Sequence, residues 1–303
     1  HEHRRGIKAG YAKIETFPIW NLPLNHPVNL AYEAATADLQ DVNMIDPYHL
    51  EAYGVTTVNY NRDVEVFPVL RAMFERILGE SPYQSPTDMG VNMAGNCIFD
   101  DEAVSDASRR EIVRRYYQAM CDLRTGRGEE SAVAKIELLM NKAEITVDIN
   151  PTVAASLRKA EETGMPAVAI ELSDGQVITG KTSSLLGASS AALLNALKVL
   201  AGLDDSLHLI APEVIEPIQH LKISHLGNHN PRLHTDETLI ALSISAVTDP
   251  NAERAMEHLA ELSGCDAHST VILSQVDTDV FRKLGVNMSC EPRYQTKKLY
   301  HKR

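Results

Sequence analysis

The chain is short of cysteine, short of positive charge relative to negative, and without a long apolar run, and each shortage closes off a class of protein. Its four cysteines, Cys97, Cys121, Cys265 and Cys290, lie far apart with no Cys-x-x-Cys spacing. Neither a disulfide framework nor a cysteine metal motif is expected, and the chain reads as a reduced, cytoplasmic protein. No run of about 18 apolar residues occurs, so no membrane span is expected. Against 29 Lys and Arg stand 41 Asp and Glu, a formal net charge of -12. Such a surface repels a phosphate backbone, so nucleic acid is not an expected partner. The basic cluster running from Arg293 to Arg303 (Lys297, Lys298, Lys302, Arg303) reads as a solvated tail. The first residues, His1-Glu2-His3-Arg4-Arg5, include neither a Met nor an apolar signal segment, so the chain is expected to continue upstream. They also fail the zinc-protease pattern H-E-x-x-H, because Arg5 stands where its second histidine belongs. No internal repeat is found.

What is there is an ordinary folding composition: 303 residues, 44% hydrophobic and 23% charged, enough for two or three domains. The expected class is multi-domain α/β. Residues 1-64 read as the C-terminal part of an α/β domain, 65-164 as a helical domain, 165-295 as a second α/β domain and 296-303 as the basic tail. In the first part, Tyr11–Phe17 and Val55–Asn61 read as strands, with a helix starting at Pro27 and an acidic loop from Asp38 to Asp46. From Val64 the period becomes helical, and Ala103–Leu123, Glu130–Lys142 and Thr152–Thr163 follow as helices. In the last part Ala167–Leu172 and Gln176–Thr179 flank Ser173-Asp174-Gly175, the strongest hairpin signal in the chain. A long helix over Leu185–Leu200 comes next, with Thr182-Ser183-Ser184 placed to cap it. Strands are expected at Leu207–Ile210, Thr270–Ser274 and Val286–Ser289, and helices at Pro212–Leu221, Thr238–Val247, Ala252–Leu262 and Thr278–Leu284.

One stretch holds most of the chemistry. His225-Leu-Gly-Asn-His-Asn-Pro-Arg-Leu-His-Thr-Asp-Glu237 packs three histidines, two acids and an arginine into thirteen residues broken by Gly227-Asn228 and Asn230-Pro231. Irregular loops of this kind are where binding groups collect. His225, His229 and His234 could supply a metal site, though no helix would align them. A Ser-His-Asp set from Ser183 or Ser184, His229 and Asp236 lacks a G-x-S-x-G elbow. Gly175-Gln-Val-Ile-Thr-Gly180-Lys181-Thr182 matches the phosphate-loop pattern letter for letter, yet its β-branched middle after Asp-Gly prefers the return strand of a hairpin.

The runs Glu15–Leu24, Ser85–Gly95, Gly180–Ser190 and Leu226–Glu237 resemble a bacterial family, the domain of unknown function 1846. The resemblance covers the whole chain. It implies a longer N-terminus carrying a glycine-rich, nucleotide-like loop that this chain lacks, so any nucleotide site depending on that loop would be missing. Some relatives are labelled ATP-dependent peptidases, and nothing in these residues supports peptidase chemistry. Ala167–Leu200 also resembles the opening of a cytidine-deaminase-like fold, which implies a three-layer C-terminal domain. The zinc motif of such deaminases is absent, since Gly187-Ala188-Ser189-Ser190 stands where a ligand and a glutamate belong.

The expected function is binding of a small anionic or phosphorylated ligand, a nucleotide among the candidates, in an inter-domain cleft. Lys181, Thr182, Ser183, Asn228 and Arg232 would bind it, and His229, His234 and Asp236 would carry acid/base chemistry. No cofactor can be named. The alternatives are a non-catalytic scaffold, assembling as a homo-oligomer through its helical domain, and a metal-dependent hydrolase using His225, His229 and His234.

Overall fold

The computed structural model describes residues 2–7 and 18–295. The expected strand Tyr11–Phe17 and the basic tail 296-303 lie outside them. The described residues group into two compact units, one formed by those up to 119 with 128–146 and the other by 120–127 with those from 147 to 295. The stretch 65-164, expected to be a helical domain, is thus shared between the two. Among the described residues no helix is long and apolar enough to cross a membrane.

In the first unit, helix α1 (Pro27–Ala35) is followed by a two-stranded antiparallel sheet of β1 (Asn43–Ile45) and β2 (Val58–Tyr60), with α2 (Pro47–Tyr53) between the strands. The expected acidic loop therefore contains a strand. Asp46 explains the turn into α2: its carboxylate accepts from the Tyr48 and His49 amides, and Pro47 follows it at a position that needs no amide. The other oxygen of Asp46 accepts from the Thr87 amide and hydroxyl, so this fully buried acid ties two loops together. Next come α3 (Asn61–Leu78), α4 (Asp101–Thr125), whose residues from 120 on belong to the second unit, and α5 (Glu130–Lys142). Among the arginines of α4, Arg114 and Arg115 are both paired with Glu111 one turn away, and Arg109 is paired with Asp106.

The second unit carries the larger core. Helix α6 (Pro151–Thr163) ends at Gly164, whose φ of 66° suits glycine, and β3 (Ala167–Glu171) begins three residues later. β3 pairs antiparallel with β4 (Val177–Lys181) across the Asp174-Gly175 turn, as the hairpin signal predicts. Helix α7 (Ala188–Leu200) then packs on the hairpin, followed by α8 (Pro212–His220), α9 (Thr235–Ser245), α10 (Pro250–Glu257), β5 (Asp266–Ser269), α11 (Gln275–Lys283) and β6 (Asn287–Cys290). The sheet order is β4-β3-β5-β6, with β3 antiparallel to both neighbours and β5 parallel to β6. Val168, Ile170, Leu193, Leu197, Leu242 and Phe281 are fully buried at its centre.

Two expected strands fall elsewhere. Leu207–Ile210 forms no strand: Leu209 and Ile210 are buried as anchors of an irregular segment, so their apolarity reports burial and not pairing. The strand expected at Thr270–Ser274 occupies Asp266–Ser269 instead, four residues earlier. Its polar letters hide it, because His268 and Ser269 are fully buried, with His268 Nδ1 on the Ser289 hydroxyl and the Ser269 hydroxyl donating to the Val271 carbonyl. The displaced segment 271–274 becomes a loop.

Candidate functional site

Gly180 and Lys181, the end of the phosphate-loop match, lie in β4. Gly180 is glycine because a Cβ there would collide with the backbone of Ala192 in α7. The residue that completes the pattern thus serves a close strand–helix contact, and the segment is pleated where a phosphate loop would curl. Lys181 is exposed at the strand end.

After β4 the chain makes a loop, 182–187, before α7 starts. Thr182-Ser183-Ser184 therefore do not cap the helix; Gly187 does, and no side chain closes the end. The Ser183 hydroxyl instead accepts from the Leu185 and Leu186 amides. This loop is zipped to the second half of the histidine stretch. Leu233 donates to the Leu185 carbonyl, and its own carbonyl accepts from the Gly187 amide and the Ser190 hydroxyl. Arg232 adds a 2.6 Å bond from Nε to the Ser183 carbonyl. Beneath them the buried ammonium of Lys222 donates to the Arg232 carbonyl and pairs at 2.6 Å with Glu237, which also accepts from the His234 amide.

At the start of α9, His234 Nδ1 lies 3.0 Å from Asp277 Oδ2. Asp277 caps the same corner: its other oxygen accepts from the Thr235 amide and hydroxyl, and Ser274 donates to Oδ2 at 2.7 Å. The hydrogen bond to Asp277 raises the His234 pKa above its ordinary value, against the opposing effect of burial. For Asp277 burial is the largest single influence and pulls upward, but the bonds from His234, Thr235 and Ser274 together outweigh it and hold the carboxyl low. Each partner thus favours the charged form of the other. With Nδ1 engaged, Nε2 is the nitrogen left to meet a ligand.

These groups surround a pocket of about 230 Å³ within the second unit. Thr182, Ser189, Arg232, His234 and Asp277 line its polar side, and the displaced loop Val271-Ile272-Leu273 gives it an apolar wall. Of the residues singled out from the sequence, Thr182, Arg232 and His234 are brought together here. Lys181, Ser183, Asn228, His229 and Asp236 are not among the lining residues, and all but Asp236 are exposed. His225 ends a π-helical turn, Leu221–His225, and is exposed too. Asp236 accepts from the Glu237 amide in the first turn of α9. Among the described residues no group of three or more His, Cys, Asp or Glu stands together as a metal ligand set, so the three histidines do not form one. Desolvation pushes the Cys121 and Cys290 thiols up to about 12, which makes them unreactive near neutrality.

Ser189, Asp277 and Ser274 were not singled out by the sequence. A lone aspartate 43 residues from its histidine partner carries no local signal. Ser189 had one, since it follows Gly187-Ala188 at a helix start.

Fold and site together define a mixed α/β protein whose C-terminal unit presents a carboxylate-held imidazole to a small pocket. Profiles described as "Domain of unknown function DUF1846, N-terminal" and "Domain of unknown function DUF1846, C-terminal" match residues 1–144 and 148–300, and the chain belongs to that family. It is 62% identical over 302 residues to a UPF0371 protein of Streptococcus thermophilus and 60% identical over 302 residues to one of Streptococcus pyogenes. In each case 100% of this chain is covered, and the chain spans 61% of the relative's length.

Proposed function

We propose that the C-terminal unit binds a small anionic ligand in this pocket and that His234, oriented by Asp277, exchanges a proton with it. The observation that carries the reading is the charge arrangement: in a chain of net charge -12, Arg232 and a pKa-raised His234 line one small pocket. Asp277 opposes an anion, but its two oxygens are occupied by four partners, His234, the Thr235 amide and hydroxyl, and the Ser274 hydroxyl. The acid/base role expected of the loop histidines is assigned here to His234 alone, since His229 is exposed outside the pocket. A pocket of about 230 Å³ falls below the roughly 300–1,000 Å³ that buries drug-sized ligands, which favours a small molecule over a whole nucleotide. The expected deaminase-like layering is supported by a helix, α6, ahead of an antiparallel hairpin and a long helix packed on it.

Thermal unfolding in phosphate, acetate and chloride at matched ionic strength tests the reading. Phosphate or acetate raises the Tm of the wild-type chain relative to chloride, and the rise disappears in Arg232→Ala and His234→Gln. An identical response to all three anions overturns it.

A further inference from the structure

The reading above leaves the chemical class of the anion open, and the opposite wall of the pocket narrows it. Helix α7 begins there. Gly187, Ala188 and Ser189 all line the pocket, and the first bond of the helix is Ala191 to the Gly187 carbonyl. The amides of Ala188 and Ser189 therefore start a thirteen-residue helix with no side-chain cap and no acceptor among the described residues. A bare helix start alone says little.

Two hydroxyls point to a ligand independently. Thr182 is 2% exposed and Ser189 3% exposed, both line the pocket, and neither hydroxyl has a hydrogen-bond partner among the described residues. Several buried hydroxyls of this unit are bonded, Ser190 to the Leu233 carbonyl, Ser156 to Val153, Thr235 to Asp277 and Ser289 to Ala267, while the buried Thr238 hydroxyl, outside the pocket lining, has no partner. Both side chains are nine-tenths buried or more yet line the pocket, so their hydroxyls are two donors on one wall with a defined complement.

The complement can be counted. The wall offers the two amides, the two hydroxyls, the outer guanidinium nitrogens of Arg232, whose Nε is anchored on Ser183, and Nε2 of His234. That is seven donor groups on residues that line one pocket. A carboxylate has two oxygens and saturates near four bonds, whereas a phosphoryl group presents three terminal oxygens and takes six. Helix starts, with their positive dipole end, favour the more highly charged group as well. Facing these donors, Val271, Ile272, Leu273 and Pro166 offer nothing to hydrogen-bond but apolar area to cover.

We infer that the ligand is a small phosphate monoester, its phosphoryl group on the α7 start between Thr182, Ser189, Arg232 and His234, and its apolar body against the Val271–Leu273 wall. This rests on the anion-binding reading and goes one step past it. The charged groups around His234 are Asp277 on α11, Glu237 on its own helix, and Lys222 and Arg232 on the preceding segments.

Calorimetric titration of the whole chain with phenyl phosphate, inorganic phosphate and benzoate tests it. Phenyl phosphate is expected to bind more tightly than inorganic phosphate by tenfold or more, and benzoate more weakly than either. Ser189→Ala and Thr182→Val, which keep the amides, are each expected to weaken phenyl phosphate roughly tenfold while leaving Tm unchanged, because neither hydroxyl bonds to the rest of the described chain. Ser189→Asp, which places a carboxylate at the helix start, should abolish binding. Benzoate binding as tightly as phenyl phosphate overturns the phosphate assignment and leaves the anion reading standing. Absence of binding by all three overturns both. Full affinity in Ser189→Ala and Thr182→Val places the phosphoryl group elsewhere and overturns the inference.

Discussion

Two buried aspartates, one in each unit, make nearly the same set of bonds and do different things. Asp46 accepts from three backbone amides and the Thr87 hydroxyl, is fully buried, and binds one loop to another. Asp277 accepts from one amide, two hydroxyls and an imidazole, and that imidazole lines a pocket. Trading two amides for His234 and Ser274 turns a structural clasp into an orienting group. What separates scaffold from site is therefore the partner on the far side of the carboxylate, not the burial of the carboxylate.

The largest effect should come from breaking the clasp. Asp46→Ala leaves three buried amides and a hydroxyl without an acceptor and is expected to cost about 4 kcal/mol in denaturant unfolding. It should leave phosphate and phenyl phosphate affinity intact wherever the chain stays folded. Asp277→Asn keeps the shape and some of the bonds, so a smaller loss of about 2 kcal/mol is expected, together with a fall of the His234 pKa toward its ordinary value in a histidine NMR titration. A loss as large as that of Asp46→Ala with an unmoved His234 would erase the distinction between the two aspartates.

A pH series sharpens the comparison further. Because the His234 pKa is raised on folding, its contribution is complete below the unfolded value and is lost as pH rises through the folded one. Asp277 is lowered on folding, so its contribution is present above the unfolded value and is lost as pH falls through the folded one. Wild-type stability from this pair should peak between the two folded pKa values and decline on both sides. Asp277→Asn should flatten the alkaline side. The smallest effect is expected from His229→Ala, which should shift stability by less than about 0.5 kcal/mol and leave anion binding unchanged, because the side chain is exposed and outside the pocket.

Much of this architecture was legible in local sequence. Asp174-Gly175 between β-rich runs placed the hairpin, and the same propensity argument set aside the phosphate-loop match that Gly180-Lys181-Thr182 completes. Helical periods placed α5 to the residue and most others within a few positions. The strand Asp266–Ser269 was hidden because its buried side chains are polar, and pattern reading looks for apolar letters. The site was half legible. Composition singled out the histidine stretch but could not rank its members, since which histidine meets a carboxylate depends on α11, forty residues on. Thr182 and Arg232 were found as hydroxyl and cation near turns. Asp277 and Ser274 were invisible because their roles arise from long-range contacts alone.

The central claim, a carboxylate-held imidazolium facing an anion pocket, is tested most directly by following the His234 ring resonances through a pH titration, with and without phenyl phosphate. The account predicts a midpoint above the ordinary value of ~6.5 in the free chain, moving higher when the ligand is present, because a bound anion favours the charged ring. A midpoint at or below that value, unmoved by the ligand, would contradict it.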